Sequence, residues 1–170
     1  MAGTLRTLEE VMIEQNHRAL KSMNLFLKWI AGKQIRKINA AFDGMYEKSD
    51  EEAKKIKIGG GTTLYYFKEM GEHRASHYLE NTEKPLLIMQ GEKDFQVKKE
   101  VDFAGYKDLL KKRRNATFRL YKDLNHAFVP YITEDITKVK QEYGVERHIG
   151  EEVIRDISIW IWEIADPQYS

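Results

Sequence analysis

An α/β fold is the class this sequence predicts, and three observations carry it. Residues 86–89 form a continuous apolar run behind Pro85, closed by Gly91, which is how a strand covered on both faces reads. A second β-prone stretch, residues 116–121, alternates Phe118 and Leu120 against Thr117, Arg119 and Tyr121. Between the two, Phe103, Tyr106, Leu109 and Leu110 recur at helical spacing, which completes a βαβ unit whose crossover should be right-handed.

Helices are expected on both sides of that unit. Thr7 and Glu10 have the spacing of a capping box, and Leu8, Val11, Met12, Ala19, Leu20, Met23, Leu27 and Ile30 continue at helical period, so one helix is expected over 7–30 with Gly32 as its stop. A second is expected over 34–47, carried by Ile35, Ile38, Phe42 and Met45. The charged stretch 48–57 reads as a solvated turn or helix end, Gly59-Gly60-Gly61 as a flexible break, and 63–70 as an aromatic-rich helix. After a long polar segment, 129–150, expected to be mobile, a last helix is predicted over 151–164. Its buried stripe is expected to be Val153, Ile157, Trp160, Ile161 and Ile164. The chain thus divides into a helical region, 1–75, and a βαβ-plus-helix region, 76–170.

Composition bounds the function classes. The 170 residues are 42% apolar and 32% charged, enough apolar material for a folded domain with its own core. With 28 basic against 27 acidic residues the formal net charge is +1, which gives no reason to expect nucleic acid or an anionic membrane as partner. Cysteine is absent, so disulfides, cysteine metal sites and thiol catalysis are excluded. No apolar run approaches the roughly 20 residues of a membrane span, and the expected location is the cytoplasm.

The candidate chemistry sits at the two strand ends. Asp94 follows the first strand and His126 the second. In a βαβ unit the strands are neighbours, so both loops open on one edge of the sheet. An aspartate beside a histidine fixes the imidazole tautomer and stabilises the imidazolium, as a hydrolytic base requires.

Residues 85–97 (PLLIMQGEKDFQV), 103–110 (FAGYKDLL), 116–128 (ATFRLYKDLNHAF) and 150–161 (GEEVIRDISIWI) resemble the C-terminal part of the α/β-hydrolase superfamily, most closely its dienelactone-hydrolase-like and prolyl-oligopeptidase-like members. There the acid follows the seventh strand as G-x-x-D, matched by Gly91 and Asp94, and the base follows the eighth as N/G-H, matched by Asn125 and His126. The resemblance covers about residues 76–164. Residues 1–75 resemble, less closely, the helical lid inserted after the sixth strand. It implies a partial α/β-hydrolase fold and hydrolysis of a small-molecule ester or amide by a Ser-Asp-His triad, with no cofactor and no metal.

The nucleophile departs from that pattern. The family carries its serine in a G-x-S-x-G elbow upstream of the acid, and Ser22, Ser49, Ser76, Ser158 and Ser170 lie in none. The chain therefore reads as a C-terminal fragment holding acid and base, inactive alone, to be completed by an N-terminal half. The competing reading is a non-catalytic, truncated chain that folds by self-association, as a homodimer through the exposed strand edge or the lid helices. Tyr65, Tyr66, Phe95 and Phe128 are the candidates for contacting substrate, with Phe67 and Trp29 as further aromatics of the lid. His73 and His77 have the i, i+4 spacing of a metal pair but read as a solvated helix face. The run 111–114 reads as the basic complement of a helix C-terminus.

Overall fold

The computed structural model describes residues 3–166. They form a mixture of helices and two small sheets, divided into two compact units. One unit is Arg6–His77; the other is the chain from Tyr78 onward, joined by the residues before Arg6.

The Arg6–His77 unit begins with α1 (Leu8–Ser22), where the Glu10 carboxylate accepts the Thr7 backbone N–H at 2.9 Å. The helix predicted to run to residue 30 stops earlier. Met23 is extended, and Asn24 caps a new helix, α2 (Leu25–Ala41), by accepting the Leu27 N–H at 2.9 Å. The asparagine cap satisfies donors that would otherwise be orphaned, so it outweighs the helical spacing running through it. Gly32, read as a stop, lies buried inside α2, and a Cβ there would meet the Leu20 side chain of α1 at 3.9 Å.

Stretch 48–57, read as a solvated turn or helix end, holds a short helix of its own, α3 (Asp50–Lys55), started by a capping box between Ser49 and Glu52. The three glycines, read as a flexible break, lie at a turn between two short strands. They turn the chain from β1 (Lys57–Gly59) into β2 (Thr62–Thr63), with Gly60 at φ +55° and Gly61 at φ +85°, conformations open to glycine at little cost. α4 (Leu64–Glu72) follows. Phe42, Met45, Ala53, Ile58, Leu64 and Phe67 form the unit's core, with Phe42 and Phe67 edge to face at 5.0 Å. Each large side chain so buried contributes roughly 1.5–3 kcal/mol over leaving it exposed.

α5 (Ala75–Asn81) leads into the second unit. β3 (Leu86–Gly91) pairs in parallel with β4 (Ala116–Tyr121), in unbroken register from Leu86↔Ala116 to Gly91↔Tyr121. The connection is a π-helical turn, Lys99–Phe103, running into α6 (Ala104–Leu109). Among the described residues these are the only two strands of this sheet. Leu86–Met89 are consequently half-buried, not covered on both faces as their sequence suggests. On β4 Tyr121 is buried, Leu120 and Arg119 are exposed, and Phe118 packs edge-on to Phe103 at 6.0 Å.

Segment 129–150 contains a 3-10 turn, Ile136–Lys138, and α7 (Val139–Tyr143). The last described helix is α8 (Glu151–Ala165), of which only Val153 is buried. It joins Tyr121, Leu124 and Phe128, with Met89 and Ile157 packed against them. Ile161 and Ile164, predicted to be buried, are about half exposed, because the small sheet offers α8 too little surface to cover its full stripe. Arg113, from the basic run, serves another helix end than its own: its guanidinium donates to the Leu79 carbonyl in the last turn of α5 at 2.7 Å. No helix among the described residues is long and apolar enough to cross a membrane.

Candidate active site

Gly91 ends β3 at a place where another stretch of backbone passes almost in contact. A Cβ on it would lie 2.3 Å from the Leu124 carbonyl oxygen and 2.4 Å from that of Asn125. Only a residue without a side chain lets the loop after β4 cross the end of β3 this closely. The crossing is fastened by two backbone bonds, Glu92 N–H to Tyr121 O at 2.7 Å and Lys93 N–H to Leu124 O at 2.9 Å. Asp94 and His126 are thereby brought together.

The Asp94 side chain is fully buried. Its Oδ1 accepts the Gln96 N–H at 2.8 Å and the Val97 N–H at 3.1 Å, and its Oδ2 lies 2.8 Å from His126 Nδ1. Gln90, also buried, secures the far end of this loop by donating from Nε2 to the Val97 carbonyl at 2.9 Å. The carboxylate is thus locked by backbone donors on one oxygen and turned to the imidazole with the other.

An ionised carboxylate only accepts, so Nδ1 is the donor and the neutral ring presents its lone pair at Nε2. The His126 side chain is 18% exposed, and Nε2 has no partner among the described residues. One face of the imidazole is anchored; the other nitrogen is open to an incoming group. That arrangement can take a proton from a hydroxyl and hold the resulting imidazolium against a buried negative charge.

The loop carrying His126 is built on its neighbour. Asn125, fully buried, uses Oδ1 to accept the Ala127 and Val129 N–H groups at 2.9 and 3.4 Å, and donates from Nδ2 to Glu142 Oε1 at 2.6 Å. Glu142 is fully buried, and its Oε2 accepts the Ile132 and Thr133 N–H groups at 2.9 and 2.8 Å. Burial alone would raise the Glu142 carboxyl. The Asn125 amide, the two backbone donors and the Arg147 guanidinium 3.5 Å away outweigh it and hold the group below its ordinary value. Sequence reading missed Glu142 altogether. Nothing local marks it, since its partners lie 9, 10 and 17 residues away.

The other candidates are placed as follows. Phe95 and Phe128, beside the acid and the base, are buried as packing residues, Phe128 edge-on to Tyr121 at 5.9 Å and Phe95 against Tyr143 at 6.1 Å. Phe128 holds a left-handed backbone, φ +59°, which tightens the turn after His126. Tyr65 and Tyr66 belong to the helical unit. Tyr65 packs on its core beneath the Lys54 ammonium, Tyr66 is half exposed, and Phe67 is a core residue. Trp29 is exposed on α2, beside Ile30, Lys33 and Arg36. His73 ends α4 and His77 lies in α5, so they share no helix face, and no group of three or more His, Asp or Glu suited to a metal ion occurs among the described residues. Ser22, Ser49 and Ser158 hydroxyls are bonded within their own helices or caps; Ser76 lies in the first turn of α5, and Ser170 lies outside the described residues.

Compared with protein families, curated proteins and solved structures, the chain matches no family model, no curated protein and no solved structure.

Proposed function

We propose that this chain supplies the acid and the base of a Ser-Asp-His hydrolase of the α/β-hydrolase superfamily, acting on a small-molecule ester or amide. The observation that carries the reading is the 2.8 Å contact between His126 Nδ1 and a buried Asp94 carboxylate, with Nε2 left open. In the reaction, His126 Nε2 takes the proton of a serine hydroxyl as it attacks the carbonyl, Asp94 stabilises the imidazolium, and the proton passes to the leaving group. Water then repeats the cycle on the acyl-enzyme. The nucleophile and oxyanion hole come from polypeptide outside these 170 residues, because the sequence has no G-x-S-x-G elbow.

A second reading is favoured by one observation: α2 and α8 carry large apolar side chains in the open, Leu25, Phe26 and Trp29 on the first and Ile154, Ile161 and Trp162 on the second. On that reading the chain is non-catalytic and self-associates as a homodimer. Assay with p-nitrophenyl acetate separates the two. The purified chain alone is expected to show no turnover above a His126→Ala background. Co-expression with an α/β-hydrolase N-terminal half that carries a G-x-S-x-G elbow is expected to give turnover that His126→Ala abolishes. An inert mixture, with the chain dimeric by light scattering, supports the second reading. Turnover by the chain alone, lost in His126→Ala, places the nucleophile inside it and overturns the proposed division.

A further inference from the structure

We infer that Glu142 is a positioning residue for His126, acting through Asn125, and that its role requires a carboxylate. The inference rests on the reading of His126 as the base. Asn125 has no freedom to turn its amide, because Oδ1 is committed to the Ala127 and Val129 N–H groups on either side of Phe128. Its Nδ2 therefore faces Glu142 as a donor. From the opposite side two more donors, the N–H groups of Ile132 and Thr133, converge on the second oxygen of Glu142. A side chain at this point must accept on both sides, and among the amino acids only a carboxylate of this length does so.

The clamp closes the loop around the base. Asn125 N–H donates to Val129 O at 3.0 Å and Phe128 N–H to Asn125 O at 3.0 Å, so His126 sits inside a turn whose geometry Asn125 determines. Glu142 then ties that turn to residues 132–133 and, through the Arg147 guanidinium, which donates to the Pro130 carbonyl, to residue 130. The segment whose polarity reads as mobile is therefore what holds the base in place.

The same geometry supplies a stringent test. Glu142→Gln puts an NH2 group against either the Asn125 amide or the two backbone donors. The reciprocal exchange, Asn125→Asp with Glu142→Gln, restores the hydrogen bonds of the clamp and gives up only the Arg147 ion pair: the new carboxylate accepts the Ala127 and Val129 N–H groups and the Gln amide, whose oxygen accepts from Ile132 and Thr133. The readout is the His126 Nδ1 proton resonance in nitrogen-15-labelled protein, well below the melting temperature, which reports the contact with Asp94 and not bulk stability. The expected result is loss of that resonance in Glu142→Gln and its return in the double variant. A folded Glu142→Gln protein with the wild-type resonance overturns the inference, as does a folded double variant that lacks it.

In the unaltered protein, the Ala127, Val129, Ile132 and Thr133 amides are expected to share one protection factor, as groups released by a single opening do. Independent protection factors overturn the inference even if neither variant folds. A resonance that is missing from the wild type, or that Asp94→Ala leaves unmoved, sinks the acid–base reading itself. A resonance that answers to Asp94 but not to the clamp sinks only the role of Glu142.

Discussion

The backbone at Gly91 lies against the Asn125 carbonyl so closely that a Cβ would stand 2.4 Å from its oxygen. This single approach brings the end of β3 beneath the loop after β4, and the Asp94–His126 contact depends on it. Gly91→Ala must push the two loops apart. The expected cost is about 2–3 kcal/mol of stability by urea denaturation, in the range of overpacking at a closed site. The Asp94–His126 contact is expected to be lost even where the chain still folds. An alanine variant as stable as the parent, with the contact intact, would contradict the argument.

Much of the site was legible because its markers are local. Gly91, Asp94, Asn125 and His126 stand at fixed places after two strands whose composition announces them, and β4 follows its predicted bounds residue for residue. What was illegible depended on partners distant in sequence. Glu142 has no periodicity or motif, and its partners are chosen by the path of a loop. In the helical unit the Asn24 cap competes with unbroken helical spacing, and spacing alone cannot reveal which prevails. Nor does an apolar stripe in α8 say how much surface exists for it to cover, which is why Ile161 and Ile164 read as buried and are not.

Two tyrosines should set the alkaline limit of the fold, one in each unit. Tyr46 is pushed up to about 12, first by burial and then by its hydrogen bond to Glu9 at 2.5 Å. Tyr121 is likewise pushed up to about 12, by burial first and then by the Asp156 carboxylate. In the unfolded chain both ionise near the ordinary 10.0. The folded protein therefore binds more protons than the unfolded one between those values. Its stabilisation is whole below pH 10 and is lost as pH rises through about 12. Thermal melts from pH 9 to 12 should show this decline, reduced in Tyr46→Phe and Tyr121→Phe. Equal slopes in parent and variants would refute the assignment.

The open face of α8 yields a prediction about association. Trp162 is 76% exposed, so Trp162→Glu should change monomer stability by no more than about 0.5 kcal/mol. On the self-association reading the parent is a dimer in light scattering and the glutamate variant is monomeric. A parent that is already monomeric at high concentration would remove α8 as an association surface.

Asp94 has two duties that substitution can separate. Oδ1 satisfies the Gln96 and Val97 N–H groups, while Oδ2 orients His126. Asp94→Ala strips both, leaving two backbone donors at a buried site without acceptors at about 1–3 kcal/mol each, so a loss of about 2–6 kcal/mol is expected by urea denaturation. Asp94→Asn keeps an oxygen for the backbone and should cost much less. Its NH2 group then meets Nδ1 as a donor, so the ring must move its proton to Nε2, the nitrogen that has to accept from a serine. Nitrogen-15 spectra of the neutral ring should show protonated Nδ1 in the parent and protonated Nε2 in Asp94→Asn. In the completed enzyme the same variant should lower turnover by about 10⁴-fold, as a triad with the wrong tautomer does. A stable Asp94→Asn protein whose Nδ1 remains protonated would mean that the carboxylate does not determine the tautomer, and the acid–base assignment would fall with it.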